Sequence, residues 1–82
     1  MKILIEVATP GNGKTYELML DDKLAVGAAK EKIIEQIQAY EDGCIAFGED
    51  AALFAPSTRA RLPSNLSLRK AGLRGGQMVF LL

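Results

Sequence analysis

The feature that most constrains the fold is a change in hydrophobic periodicity near Val26. Before it, apolar and polar residues alternate in two short segments, which is the pattern of half-buried β-strands. After it, apolar residues recur every three or four positions, which is the pattern of an amphipathic helix. A chain of 82 residues can build one modest core. We therefore expect residues 1–82 to form a single domain in which strands and helix share that core.

The two alternating segments predict an antiparallel hairpin with one apolar face. In each segment the apolar residues share one side of the strand: Met1, Ile3, Ile5 and Val7 in the first, and Tyr16, Leu18 and Leu20 in the second. Residues 9–13 between them are Thr-Pro-Gly-Asn-Gly, a composition typical of hairpin loops.

The helix and the remaining strands complete an α+β pattern. The helical stripe consists of Val26, Ala29, Ile33, Ile37 and Tyr40. Gly43 is a natural helix stop, whereas Ala25 occupies the position where a capping Ser, Thr or Asp would be expected. Beyond the helix, we predict strands at residues 51–55, 59–62 and 77–82, with a turn at 56–58.

This order predicts one helix packed on one face of a mixed sheet. The first and last strands are strongly apolar, so we expect them to be central and adjacent. The segment at 44–47, Cys-Ile-Ala-Phe, is compatible with either a short strand or an apolar lid over the core.

The residue inventory does not favour catalysis. The chain has no histidine, the commonest general base, and its one cysteine, Cys44, has no obvious activating partner. We expect no catalytic, cofactor-binding or metal-binding site and no small-molecule substrate. No segment approaches the roughly 18 apolar residues of a membrane span, and the first residues do not resemble a signal peptide. A soluble cytoplasmic protein without membrane insertion is the expectation.

Residues 8–15, Ala-Thr-Pro-Gly-Asn-Gly-Lys-Thr, nearly match a phosphate-binding loop. Such a loop must lead directly into a helix whose first amides hold the phosphates. The residues that follow Thr15 alternate like a strand instead. A hairpin loop therefore explains this segment better than a nucleotide site with Lys14.

Charge is unevenly distributed along the chain. All ten acidic residues lie within residues 1–50, together with five lysines, and the remaining five cations are Arg59, Arg61, Arg69, Lys70 and Arg74. Such asymmetry can mark an electrostatic surface. Because the late cations form no dense run in sequence, we expect folding to interleave the two halves. Few aromatic residues accompany them, so nucleic-acid binding is not expected.

The predicted strands contain more apolar residues than one sheet face packed against the helix can bury. If Val79 and Leu81 join the core, alternation turns their neighbours outward. The candidate partner surface on the open face of the sheet is then Leu4, Met19, Leu53, Met78, Phe80 and Leu82. Exposed patches of this kind mark interaction sites, unless residues 44–47 cover them. We predict that Phe80→Asp weakens partner binding or self-association and leaves the fold largely intact.

Several stretches of the chain form a recognisable set: residues 1–7 and 14–20, Val26-Gly27, Arg61-Leu62-Pro63, and the pattern Leu68-x-x-x-Gly72-Leu73-x-x-Gly76-x-x-Val79-x-Leu81. In these stretches the sequence resembles small bacterial ubiquitin-like proteins of the YukD/EsaB type, which are associated with type VII (ESX-like) secretion in Gram-positive bacteria. The resemblance implies a ubiquitin-like β-grasp fold. It also implies a cytoplasmic, non-enzymatic accessory or regulatory component that contacts proteins, such as membrane components of the secretion system.

Residues 73–76, Leu-Arg-Gly-Gly, spell the tail by which ubiquitin is conjugated, but the chain continues to Leu82. An internal Gly-Gly peptide has no carboxylate to activate. A ubiquitin-like modifier or sulfur carrier would thus require processing after Gly76, and this is the alternative function. We expect instead that Leu73 anchors the core, that Arg74 lies in solvent, and that the glycines adopt positive φ angles in a tight turn.

Overall fold

A computed structural model describes residues 1–41, 51–56 and 60–82. Six elements follow in chain order: β1 Lys2–Thr9, β2 Lys14–Asp21, α1 Val26–Tyr40, β3 Leu53–Ala55, β4 Ala60–Arg61 and β5 Met78–Leu81. The predicted order of elements is confirmed, with boundaries that shift by one or two residues. Residues 42–50 and 57–59, which include the predicted helix stop, the 44–47 segment with Cys44, and Arg59, lie outside the described residues.

The strands form a five-stranded mixed sheet in the order β2-β1-β5-β3-β4. The first and last strands pair in parallel, and every other pairing is antiparallel. β5 is therefore the central strand and β1 lies beside it, as predicted. A parallel pair needs a long crossover connection, and the chain between β1 and β5 contains the helix that provides it.

The β1–β2 loop is a hairpin turn. Thr9 lies opposite Lys14 in the strand pairing, and the Thr9 carbonyl accepts hydrogen bonds from the backbone of Asn12 and Gly13. Gly13 has a φ of 70°, which glycine adopts without steric cost. The Asn12 side chain is hydrogen-bonded to the Thr9 hydroxyl and accepts from the backbone N–H of Lys14. The hairpin interpretation is confirmed, and the loop leads into a strand rather than a helix.

The start of α1 is stabilised by a distant segment rather than by its own cap residue. Ala25 makes no side-chain capping bond, as its chemistry requires. Instead, the backbone N–H of Val26 donates to the Leu66 carbonyl at 2.7 Å, and that of Gly27 donates to the Ser64 carbonyl at 3.0 Å. A Cβ on residue 27 would lie 3.4 Å from the Ser64 carbonyl oxygen, which is an ordinary contact distance.

The core lies between α1 and one face of the sheet. Its largest fully buried side chains are Ile5, Val7, Ile33, Ile37, Leu53, Leu68 and Val79. The apolar stripe of the helix is buried as predicted, except that Tyr40 is exposed at the end of α1. Met1 is also exposed, because it precedes β1 at the margin of the sheet. Among the described residues, the only helix is too short and too polar to cross a membrane.

Candidate functional site

The face of the sheet opposite the helix is defined by strand register. Residues that lie directly opposite each other in paired strands project to the same face. Leu4 of β1 pairs with Met19 of β2, and Phe80 of β5 pairs with Phe54 of β3. Met78 and Leu82 share the side of Phe80 by alternation. We call Leu4, Met19, Phe54, Met78, Phe80 and Leu82 the open-face patch.

Most of these side chains are open to solvent. The exposed fractions are 43% for Leu4, 57% for Met19, 37% for Met78 and 56% for Leu82. Phe54 and Phe80 are half-buried. Phe80 lies between Ala8 of β1 and Phe54 of β3, and these neighbours account for its partial burial. Substitution of Phe80 would therefore disturb packing as well as the surface, and Met78 is the cleaner probe.

One residue of the predicted surface is wrong. Leu53 is only 1% exposed and belongs to the core. The reason is its register: Leu53 lies opposite Leu81, which also faces the helix side of the sheet. The outward position on β3 belongs to Phe54, which the sequence analysis did not select. Residues 51–55, which include β3, are Ala-Ala-Leu-Phe-Ala. All five are apolar, so no alternation of apolar and polar residues indicates which of them face the core.

Two carboxylates divide the open-face patch. Glu6 of β1 and Glu17 of β2 are directly opposite each other, and Glu6 also pairs with Met78 of β5. Neither carboxylate forms an ion pair with a described residue. Like charges placed directly opposite each other in a sheet are destabilising. A partner that places a cation between these groups would relieve that repulsion.

The Leu-Arg-Gly-Gly segment forms the turn that leads into β5. The backbone N–H of Gln77 donates to the Arg74 carbonyl at 3.2 Å, and Gly76 has a φ of 84°. A positive φ at the third position is the requirement of a type II turn. Gly75 does not share it, so the expectation of positive φ holds at Gly76 only. Leu73 is buried, as predicted.

This turn is hydrogen-bonded to β1 before β5 begins. The backbone N–H of Gly76 donates to the Leu4 carbonyl at 2.7 Å, and that of Glu6 donates to the Gln77 carbonyl at 2.9 Å. The two bonds fix the register of the central parallel pair. They thereby determine which β5 side chains face the core and which face outward.

A polar cluster lies at the hairpin end of the molecule, where it joins β2 to the end of α1. The Lys14 ammonium donates to both carboxylate oxygens of Glu41, at 2.9 and 3.1 Å, and the Tyr16 hydroxyl donates to Glu41 at 2.8 Å. These bonds hold the pKa of Glu41 below its usual range, with Lys14 as the larger cause. The same hydrogen bond raises the pKa of Lys14. Lys14 thus has a structural partner in Glu41.

Neither a cluster of metal ligands nor an unpaired buried polar side-chain atom occurs among the described residues. Within residues 1–41, 51–56 and 60–82, no three His, Cys, Asp or Glu side chains are grouped so that they could hold a metal ion. Every buried side-chain nitrogen and oxygen atom in this part of the chain has a hydrogen-bond partner.

Comparison with known proteins identifies the architecture. No protein-family model and no curated protein sequence matches the chain. Solved structures do match it. The ubiquitin-like domain of EccD5 from Mycobacterium xenopi superposes with a TM-score of 0.81 at 14% identity, covering 100% of this chain and 93% of that domain. The chain has the ubiquitin-like β-grasp fold.

Two further structures show the breadth of this similarity. The UBL domain of Plasmodium falciparum Dsk2 matches with a TM-score of 0.76 and 18% identity, over 99% of this chain and 96% of that one. A chain of the MycP5-free ESX-5 inner membrane complex matches with a TM-score of 0.79 and 20% identity. The match covers 99% of this chain but 20% of that one, so the likeness is to one portion of a larger protein. At these identities the likeness is one of fold.

Proposed function

We propose that residues 1–82 form a single, non-enzymatic ubiquitin-like interaction module that binds a protein partner through the open-face patch. We further propose that it serves as a cytoplasmic accessory or regulatory component of a type VII-like secretion system of the YukD/EsaB kind. The observation that carries the first proposal is the exposure of apolar side chains on the sheet face opposite α1, with Met19 at 57% and Leu4 at 43%.

The secretion assignment is supported by the structures that the chain resembles. One is the ubiquitin-like domain of EccD5, and another belongs to an ESX-5 inner membrane complex. Membrane components of such a system are therefore the first partners to test. The open-face patch would receive apolar side chains, and a basic residue of the partner would lie against Glu6 and Glu17.

The decisive experiment measures binding to the cytosolic region of such a membrane component from the same organism, by isothermal titration calorimetry. Met78→Asp places a carboxylate in the patch at an exposed position and should reduce affinity at least about tenfold, because it must be desolvated beside Glu6. Gln36→Asp, an exposed helix position away from the patch, is the matched control and should bind as the wild type does. Circular dichroism should show that both variants fold.

Equal affinity of Met78→Asp and wild type would refute the patch as the binding surface. If the wild-type protein binds no component of the secretion system, the assignment to that system fails while the interaction-module proposal still stands to be tested by sedimentation. In that case self-association through the patch predicts a concentration-dependent dimer that Met78→Asp disrupts.

The modifier or sulfur-carrier function is less well supported. Cleavage after Gly76 would remove β5, the central strand, together with the fully buried Val79. β1 and β3 would each lose their pairing with β5, which splits the sheet into two hairpin pairs and opens the core. Intact-mass spectrometry of the protein isolated from its own cells tests this directly: a species that ends at Gly76 would favour the modifier function, and a species that retains Leu82 would favour the module.

A further inference from the structure

A groove lies at the end of the sheet where β2 ends and α1 begins. Its walls are two segments, residues 22–25 and 65–74. Two backbone hydrogen bonds join them, from Leu68 to Leu24 at 2.8 Å and from Arg69 to Asp22 at 3.0 Å, and the adjacent Val26 donates a third to Leu66 at 2.7 Å. Because backbone bonds hold both walls together, the groove is part of the folded framework.

The groove is concave and sizeable. One cavity has a volume of about 720 Å³, and a second of about 530 Å³ adjoins it. The two share Asp22, Lys23, Arg69 and Arg74 as lining residues, so they form one continuous depression. Leu66 and Ala25 in the first cavity, and Ile3 and Leu73 in the second, give it an apolar floor.

Cations surround this depression, and we call it the basic groove. Lys23, Arg69, Lys70 and Arg74 all line it, whereas Asp22 is the one acid among the described residues that line it. No carboxylate of residues 1–41, 51–56 or 60–82 forms an ion pair with any of these four cations. The groove is therefore positive in net charge.

Turn structure orders part of the cationic wall. The Arg74 guanidinium donates to the carbonyl oxygens of Arg69 at 3.2 Å and Leu73 at 3.3 Å. Ser67 accepts a hydrogen bond from the backbone N–H of Lys70 at 3.1 Å. Arg74 retains most of its five donors for a ligand. A guanidinium held in place in this way loses less entropy when it binds a carboxylate.

We propose that the basic groove binds an extended acidic segment of a partner protein, in which carboxylates alternate with apolar side chains. The carboxylates would pair with the four cations on the walls, and the apolar side chains would lie on the floor. This surface is distinct from the open-face patch, so the module would contact its partners at two places.

Protein rather than nucleic acid is favoured by three observations. The chain has a net charge of zero and a pI near 6.2, whereas nucleic-acid-binding domains are strongly basic. None of the described residues that line the groove is aromatic, so none of them can stack on bases. The apolar floor suits a side chain better than a phosphate backbone.

The test uses the full chain and a fluorescein-labelled peptide in which glutamate and leucine alternate, followed by fluorescence anisotropy. The variant Lys23→Gln with Lys70→Gln removes two groove cations whose side chains make no hydrogen bond or ion pair with described residues, so the fold should be retained. We expect its affinity to fall about tenfold, because two partly exposed charge pairs are lost. Added salt should weaken binding of the wild type.

The matched control is Lys2→Gln with Lys32→Gln, which removes the same charge from exposed positions outside the groove and should change affinity less than about twofold. Met78→Asp should bind the peptide normally, and this separates failure of the groove from failure of the open-face patch. Three results would each overturn the proposal: equal losses in the groove and control variants, equal binding of a peptide with glutamine in place of glutamate, or displacement of the peptide by an oligonucleotide of the same charge at lower concentration.

Discussion

The two faces of the sheet are formed by the same strands but differ in burial. On β1, Ile5 is fully buried in the core, while its neighbour Leu4 keeps 43% of its surface exposed. Both are aliphatic, so hydropathy does not separate them. The separation arises because α1 covers one face only. Among the described residues, the sheet therefore carries more apolar surface than α1 buries, and the excess is exposed to solvent.

The largest expected contrast is between these two adjacent residues. Ile5→Ala should lower the free energy of unfolding by about 3 kcal/mol, because it leaves a cavity in a fully packed core. Leu4→Ala should lower it by less than about 1 kcal/mol, since much of that side chain is already in water. Urea unfolding measures both values.

If Ile5→Ala proves too unstable to purify, Ile5→Val gives a smaller and measurable loss of about 1 kcal/mol. Partner binding should respond in the opposite order, with Leu4→Ala weakening it and Ile5→Val leaving it unchanged. Equal destabilisation by Leu4→Ala and Ile5→Ala would mean that another part of the protein covers the open face. The distinction between an exposed and a buried face of the sheet would then be wrong.

A smaller effect is expected at the turn that sets which β5 residues face outward. Gly76→Ala should cost about 1–2 kcal/mol of stability, because alanine is strained at a φ of 84°. Gly75→Ala is the matched control. Its Cβ would lie 3.9 Å from that of Ile3, an ordinary contact, so a loss of less than about 0.5 kcal/mol is expected.

Thermal unfolding distinguishes these two variants, and Gly76→Asn should lie between them because asparagine tolerates positive φ better than alanine. Equal losses at residues 75 and 76 would show that the turn conformation does not depend on the positive φ of Gly76.

The smallest effect is expected at the polar cluster, where a charged contact rather than apolar burial joins β2 to α1. The pKa of Glu41 is lowered in the folded state, chiefly by its hydrogen bond from Lys14. In the acid range the unfolded state therefore binds more protons than the folded state. The stability that this hydrogen bond contributes is present above the usual carboxyl pKa and is lost as pH falls through the lowered pKa of Glu41. The pKa of Lys14 is raised in the folded state, so at alkaline pH the same stabilisation is lost as pH rises through that raised pKa.

Melting temperatures as a function of pH test this. Glu41→Gln should melt below the wild type near neutral pH, and the difference should vanish in strong acid. Glu17→Gln, which removes a carboxylate without an ion-pair partner among the described residues, should not lower the melting temperature. A difference for Glu41→Gln that persists in strong acid would show that packing, not charge, accounts for it.

Sequence patterns predicted most of the fold because they report on each segment alone. Alternation in β1, β2 and β5 correctly placed Leu4, Met19 and Met78 outward and Ile5 inward. The spacing of Val26 to Ile37 correctly predicted the buried stripe of α1. The fold class followed from the order of these elements, and the solved structures that the chain resembles confirm it.

Residues 51–55 show where local patterns were insufficient. Because all five residues are apolar, the sequence is compatible with either Leu53 or Phe54 facing the core. The pairing of Leu53 with Leu81 places Leu53 in the core and Phe54 on the open face. The start of α1 is a second case, because its capping groups come from Ser64 and Leu66, far along the chain.

The positions of the basic residues in the fold were also not evident from local sequence patterns. Because the late cations form no dense run in sequence, folding was expected to interleave the two halves of the chain. Arg69, Lys70 and Arg74 do lie beside Asp22 and Lys23 from the acidic half, but the described residues that line this groove include more cations than acids. Backbone pairing between residues 22–25 and 66–69 brings them together, and no local pattern encodes it.

The sequence by itself determined which side of each regular element is apolar, because that property depends only on the spacing of residues along one helix or strand. Tertiary structure alone decided which side of β3 faces the core, which distant carbonyl groups accept from the first amides of α1, and that Lys23 lies beside Arg69, Lys70 and Arg74. These depend on hydrogen bonds and contacts between segments far apart in the chain, and the spacing within one segment carries no information about them.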